Sequence, residues 1–421
     1  MTAELIEGAR VVLDDRVEVA SVRIEDGRIT GIDVARDGAA VVPGRGRLLA
    51  PAFVDVHGDA FERQLMPRPG VMVPVEAALL ETDRQLAANG IANAYLALTL
   101  SWEPGLRSVE TGWQVVRALE ALQGRLTTDL RIQLRWETFA ASAEPLIAHV
   151  LATHSRPALA FNDHTSSSVL HPDVAIHDRP HDFVSGYPVT DLDAPAFEKK
   201  LEKHAARAGV PAAAYAETTR QLWATRAEVP ARIARIAALA RGHGAPMLSH
   251  DDTQVETRAG FRALGARVAE FPMHERVLHE ARLAGDAIVL GAPNAMRGGS
   301  HLGSPGAAGM IARGLCDILA SDYYYPAMLG AVARLHADRV APLHALWKLV
   351  AQNPAAAMDL TDRGRIGPDL RADLVLFDWP EGQTPAPLRT WVAGRGGYSC
   401  LSAAQSQAAH RPVPAFTGES S

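Results

Sequence analysis

Cysteine is nearly absent from this chain. Cys316 and Cys400 are the only two in 421 residues, in no metal-binding or redox spacing, so neither a disulfide scaffold nor a thiolate zinc site is expected. A dominant charge is missing too. Against 48 Asp and Glu stand 42 Lys and Arg, a formal net charge of −6, and nothing in that balance draws the chain to nucleic acid or an anionic membrane. No apolar run reaches about 18 residues, the length a membrane span needs. The opening MTAELIEGARVVLDD has acidic residues where a signal peptide has a basic start and an apolar core. No strand–G-x-G-x-x-G–helix fingerprint and no phosphate loop is found. These absences predict a cytoplasmic protein acting on a small molecule, with no nucleic acid and no membrane among its partners.

What is present is apolar bulk and histidine. Apolar residues make up 48% of the chain, enough for one large domain and something smaller. Sixteen histidines hint at metal or acid–base chemistry. The first 49 residues read as short strands, with SVRIEDGRITGI turning at Asp26-Gly27, a tight hairpin signal. Residues 361–400 look alike, with short strands in ADLVLFDW and TWVAG, so both chain ends are expected to join in a small β-sandwich domain. Residues 401–421 read as a tail.

Between them, over 50–360, eight strands are predicted near 50–56, 91–98, 130–136, 157–163, 245–249, 267–271, 286–291 and 316–321, with helical patterns between most of them. That alternation makes right-handed βαβ units and a parallel sheet, and eight units suggest an α/β fold of the (β/α)8 TIM-like barrel type, with an open doubly wound sheet as the alternative. The connection from 165 to 245 carries two helical patterns of its own, PAFEKKLEKHAARAG and AAAYAETTRQLWATR. It is expected to cover the mouth or to form a contact in a homo-oligomer.

Working residues in such barrels sit at the C-terminal strand ends. Those ends supply His57 and Asp59, Glu137 in LRWE, His164 in FNDH, His250 in LSHDD and Asp322 in LASDYYY. Imidazole and carboxylate are the ligands that zinc and similar divalent ions take at open sites. Two cations about 3.5–4 Å apart would use all six. Each residue also has a plain structural reading: a strand-end His is often a satisfied loop residue, Asp322 a helix N-cap, and Glu137 a partner of Arg135. Their conjunction favours the metal site.

PAFVDVHGD, NDHT, LSHDD, AEFPMH, GAPNAMRGGSH and DILASDYYYP, framed by a split β-domain, resemble the amidohydrolase superfamily and, within it, the family of α-D-ribose 1-methylphosphonate 5-triphosphate diphosphatases. The likeness runs in order over residues 50–330 and extends to both ends. It implies a binuclear hydrolase with His57, Asp59, Glu137, His164, His250 and Asp322 at two divalent metal ions, zinc first, with manganese or iron as alternatives. Asp322 would be the catalytic group that orients the water and takes its proton. The superfamily's paired histidines usually come from strands five and six, whereas His164 and His250 count as four and five, which leaves room for an unrecognised strand.

The chain departs from the diphosphatase pattern near the mouth. It reads HGDA for HTDN, has a Ser- and His-containing loop (His171, His177, His181) after the DH, and continues GGSH with LGS. Arg68 between two prolines, Arg297 before Gly298-Gly299, Arg63 and His301 are the candidate substrate contacts, the arginines for phosphate and His301 as a proton donor to the leaving group. The expected reaction is hydrolysis of a phosphoanhydride with release of pyrophosphate. Hydrolysis of an amide, cyclic amide or ester by the same centre is the alternative, and a non-catalytic barrel a more distant one.

Overall fold

The structure, a computed structural model, describes residues 3–299 and 305–400. The tail expected at 401–421 and the candidate His301 lie outside them. Eight parallel strands form the barrel: β1 (Phe53–Gly58), β2 (Ile91–Leu100), β3 (Asp129–Glu137), β4 (Ala158–Asn162), β5 (Met247–His250), β6 (Val268–Glu270), β7 (Ala287–Gly291) and β8 (Ile318–Ala320). Each of the eight predicted strands overlaps one of them. No further strand intervenes among the described residues, so His164 and His250 do belong to the fourth and fifth.

Neighbouring strands pair in sequence order from β1 to β8. The remaining seam, between β8 and β1, closes in two ways. Towards the N-terminal end, the segment at Leu349–Val350 fills the gap: its carbonyls accept from Leu319 N and Val54 N at 2.8 and 2.9 Å. At the mouth the two strands meet directly, with Asp322 N donating to His57 O at 2.9 Å and Asp59 N to Asp322 O at 3.0 Å. Three of the expected site residues therefore close the barrel with their own backbones.

The barrel interior is apolar below the mouth, with Val54, Val56, Tyr95, Leu248, Val268 and Val289 in one buried cluster. The outer faces of the strands pack on helices such as Val75–Ala88 and Val109–Ala121. Ser108 caps the second, accepting from Thr111 N at 3.1 Å.

Both chain ends share one eight-stranded mixed sheet, in which Leu374–Asp378 pairs antiparallel with Leu48–Pro51 and Glu4–Val12 pairs with Val17–Glu25. The hairpin turn falls at Asp26 and Gly27, both at positive φ (48° and 84°), as a tight two-residue turn requires. One core, including Ile6, Val22, Leu374 and Trp391, draws on both ends. Only Ala52 separates this sheet from β1, so it anchors the first site strand.

The long insertion carries helices Pro195–Ala208 and Ala212–Ala224 with a core of its own around Phe197, Leu201 and Tyr215. It is fastened to the loop after β2: Glu103 accepts from Arg207 Nη2 at 2.7 Å and from the Tyr215 hydroxyl, and Trp102 Nε1 donates to Thr165 Oγ1 at 2.9 Å.

Candidate metal centre at the barrel mouth

Local backbone irregularities aim the donors. Strict alternation would place His57 on the face opposite Val56, which is in the barrel's apolar interior. The pairing of β1 with β2 is bulged, however: Asp55 pairs with Ala94 and Gly58 with Leu96, three steps on one strand against two on the other. A bulge of this kind re-aims side chains, and His57 turns into the cavity. Asp55 fixes it from behind, accepting from Ser321 N at 3.0 Å and Ser321 Oγ at 2.5 Å across the seam. A Cβ on Gly58 would lie 2.7 Å from Asp55 Oδ2, so glycine in HGDA leaves room for that staple. At three other strand ends a non-glycine residue adopts positive φ: Asp251 (58°) after β5, Phe271 (51°) after β6 and Asp322 (55°) after β8. Such residues cost about 1–3 kcal/mol each and cluster at functional sites.

The cavity at the mouth has a volume of about 270 Å³ and is lined by His57, Arg135, His250, Asp251, Phe271 and Asp322, among others. Two donor groups meet there, each with its ligand atoms within 4.8 Å of one another: His57 with His250 and Glu270, and His57 with Asp59 and Asp322. His57 belongs to both. Its Nδ1 lies 3.0 Å from Glu270 Oε1, and His250 Nδ1 lies 3.0 Å from Asp251 Oδ2. Yet His57 Nδ1, both ring nitrogens of His250 and Glu270 Oε2 make no hydrogen bond. The distances are short, but the angles are wrong for a proton between them. Buried polar atoms are nearly always paired, and donors that converge without bonding to one another suit a cation placed between them.

The electrostatics of Asp322 and His250 agrees, whereas His57, although burial alone would lower it, is raised by the Glu270 carboxylate beside it. Burial, and then Asp59 beside it, push the Asp322 carboxyl up to about 7. Two facing carboxylates resist ionising together unless positive charge joins them. Burial pushes His250 towards the neutral imidazole that a metal takes. Nitrogen and carboxylate oxygen donors without thiolate fit zinc or a similar divalent ion.

Of the six expected ligands, the structure brings together His57, Asp59, His250 and Asp322. Glu137 and His164 stand beside them as a pair: His164 Nδ1 lies 2.5 Å from Glu137 Oε1, and His164 N donates to Glu137 Oε2 at 3.0 Å. Although burial alone would raise it, His164 holds the Glu137 carboxyl down to about 2. Asp251 links the halves, its Oδ2 lying 3.9 Å from His164 Nε2.

The candidate phosphate contacts lie farther out. Arg63 donates to the carbonyl of Tyr323 and so holds a cavity-lining residue in place. Arg68 and Arg297 are exposed and outside the described cavity wall. His171, His177 and His181 do not converge: His171 sits beside Asp173 at 3.6 Å, and His181 packs on Phe183 with ring centroids 5.9 Å apart.

The chain is 29% identical over 379 residues to α-D-ribose 1-methylphosphonate 5-triphosphate diphosphatase of Escherichia coli (strain K12), covering 88% of this chain and 94% of that one. That likeness runs along nearly the whole of both chains and agrees with the resemblance carried by the strand-end motifs. No family model matches this chain. Among solved structures, phenylurea hydrolase B superposes with a TM-score of 0.60 at 14% identity, covering 94% of this chain and 96% of the other. An adenosine deaminase from Xanthomonas campestris with bound zinc gives 0.59 at 14%, covering 94% and 92%. D-hydantoinase from a Bacillus species gives 0.59 at 12%, covering 93% and 94%. At these identities the likeness concerns the fold alone.

Against the usual superfamily pattern, the sixth strand offers a carboxylate instead of a histidine. Glu270 is fully buried, and Gln133 Nε2 donates to its Oε1 at 2.7 Å. Sequence reasoning passed over it, although AEFPMH was among the motifs and the strand-end rule that found the others also reaches it. Arg135, whose Nη1 lies 3.5 Å from Asp59 Oδ2, was weighed only as a partner for Glu137. It stands two residues before Glu137 on the same strand, and alternation, which puts the two on one face, is the signal that could have found it.

Proposed function

We propose that this chain is a metal-dependent hydrolase that cleaves a phosphoanhydride, releasing pyrophosphate from a ribose 1-methylphosphonate 5-triphosphate. The observation that carries the reading is the joint one: likeness to a diphosphatase along nearly the whole chain, with a convergent, unpaired nitrogen–oxygen donor set at the mouth. His57, His250, Glu270, Asp59 and Asp322 would hold one or two divalent ions, with Glu137 and His164 as the remaining expected ligands. When bound, such ions supply the acidity that makes hydroxide available from water near neutral pH.

The chain's own residues do the rest. Asp322 orients the attacking water and accepts its proton at a carboxylate oxygen. Arg135, buried in the cavity wall, meets negative charge as it grows on the attacked group. Phe271, Met273 and Leu290 exclude water from the inner wall. Arg68 on the exposed loop after β1 and Arg297 at the exposed end of helix Ala292–Arg297 would receive the outer phosphates.

The apolar part of the inner wall, Phe271, Met273 and Leu290, with a single arginine near it, favours a second reading: attack on an amide, cyclic amide or ester carbonyl. A hydrolysis screen of the metal-loaded protein decides between the two. Pyrophosphate release from the ribose triphosphate, with poor turnover of N-acyl and cyclic amides, is expected; the reverse ranking overturns the diphosphatase reading.

A further inference from the structure

A second set of metal-type donors lies at the other end of the barrel. Glu120 is in the last turn of helix Val109–Ala121, and His149 is on helix Glu144–Thr153. Each helix runs back along the barrel, so both end near the start of β3, remote from the mouth. His149 and His154 are five positions apart, a spacing that would put them on different faces of a continuous helix. The helix stops at Thr153, however, and His154 leaves in extended conformation (φ −91°, ψ 147°). That break swings the second ring back to the first.

We propose that Glu120, His149 and His154 form a second divalent-cation site of zinc type, which ties these two helices together. The three donor atoms lie within 4.8 Å of one another. Both rings hydrogen-bond the same oxygen, Glu120 Oε1, His149 Nε2 at 2.9 Å and His154 Nε2 at 3.3 Å, so a cation here takes the place of those shared protons. Ligands at zinc–nitrogen and zinc–oxygen distances of about 2.0–2.1 Å in a tetrahedron stand about 3.3 Å apart, so small ring rotations make these edges fit. Two imidazoles and one carboxylate select zinc and its neighbours over magnesium or calcium, which take all-oxygen sets.

The surroundings hold the donors and leave a fourth position open. Trp113 packs against the His149 ring with centroids 5.2 Å apart, and Thr153 Oγ1 donates to His149 O at 2.8 Å. His154 is the most protected of the three, its side chain 18% exposed against 35% for His149 and 41% for Glu120. Glu120, Thr153, His154 and Ser155 also line a cavity of about 450 Å³ that reaches the start of β3. Water from that cavity completes the coordination.

Nothing here depends on the mouth being catalytic, and the test keeps the two sites apart. Protein stripped with a chelator is titrated with zinc in equilibrium dialysis, alongside H149A/H154A. The parent is expected to hold one equivalent more than the double variant, with hydrolytic activity equal in both. Equal stoichiometry overturns the proposal. As a second readout that needs no folded double variant, modification of His149 and His154 by diethyl pyrocarbonate is followed by mass spectrometry of their peptide. Zinc should slow it several-fold in the parent and not in Glu120→Gln. Labelling at the same rate with and without zinc in the parent also overturns the site.

Discussion

On one side of the mouth, His57, His250 and Glu270 stand at contact distance with ring nitrogens and a carboxylate oxygen unpaired; on the other, Glu137 commits both of its oxygens to His164. The residue types are the same, and both Glu137 and Glu270 are buried. What differs is the backbone. β1, β5, β6 and β8 end in a bulge or a positive-φ residue, and these turn side chains towards a common point. At β4 the chain passes straight into the helix His164–Val169, capped by Asp163, whose side chain accepts from Ser166 N at 2.7 Å. That helix start presents the His164 amide to Glu137 and satisfies it locally. One half leaves donor atoms unpaired towards the cavity, and the other pairs its own.

The contrast can be broken at its catalytic end first. Asp322→Asn should lower turnover by at least about 10²-fold, the lower bound for loss of a general base, while the protein stays folded and retains metal on its other donors. Steady-state kinetics with metal content measured on the same preparation checks this. A variant as fast as the parent would leave Asp322 as a turn residue that merely closes the barrel.

Glu270→Gln tests whether the unpaired half binds the ion. The amide keeps the shape and can still accept from Gln133, but loses the charge that His57 and a cation would share. Chelator competition should show metal affinity lowered by at least about 10–100-fold, the scale seen even for residues one layer out from a metal. Affinity unchanged from the parent would reduce Glu270 to a hydrogen-bond partner of Gln133.

Glu137→Gln sharpens the same contrast from the other side. If Glu137 chiefly serves His164, the substitution costs about 1 kcal/mol of stability through a weakened, half-exposed pair, read by denaturant unfolding, and metal affinity falls less than in Glu270→Gln. Metal loss as large as in Glu270→Gln would show that Glu137 and His164 rotate onto the ion, restoring the six-residue set.

How much of this was legible in the sequence follows from the kind of signal involved. The eight strands could be read because each is an apolar run of the right length between helical patterns, and a parallel barrel buries both strand faces. His57, Asp59, His250 and Asp322 could be read because strand ends are where such barrels place chemistry. The bulge at Asp55–Gly58 could not, since it changes which way His57 points without changing the pattern of apolar residues around it. Nor could the Glu137–His164 pair, whose isolation depends on where an amide points at a helix start. The two-helix cluster of Glu120, His149 and His154 was also illegible: its histidines come together only because a helix ends between them.

The outer arginines define the smallest effect and the most direct test of substrate class. Arg68 and Arg297 are both exposed, the first on the proline-constrained loop after β1 and the second at the end of helix Ala292–Arg297 after β7, which Gly298 caps at φ 85°. Screening by water weakens any ion pair they form, and exposed pairs are worth about 0.2–1 kcal/mol. Arg68→Ala and Arg297→Ala should therefore each raise KM for a phosphorylated substrate by roughly two- to five-fold and leave metal content untouched. Because the two arginines are far apart in sequence and on separate elements, a long polyanion that bridges them should show nearly additive losses in the double variant, whereas a neutral amide should show none. An unchanged KM for the triphosphate in both single variants, together with efficient turnover of a cyclic amide, would place the substrate wholly within the inner wall of Phe271, Met273 and Leu290 and leave the arginines to solvent.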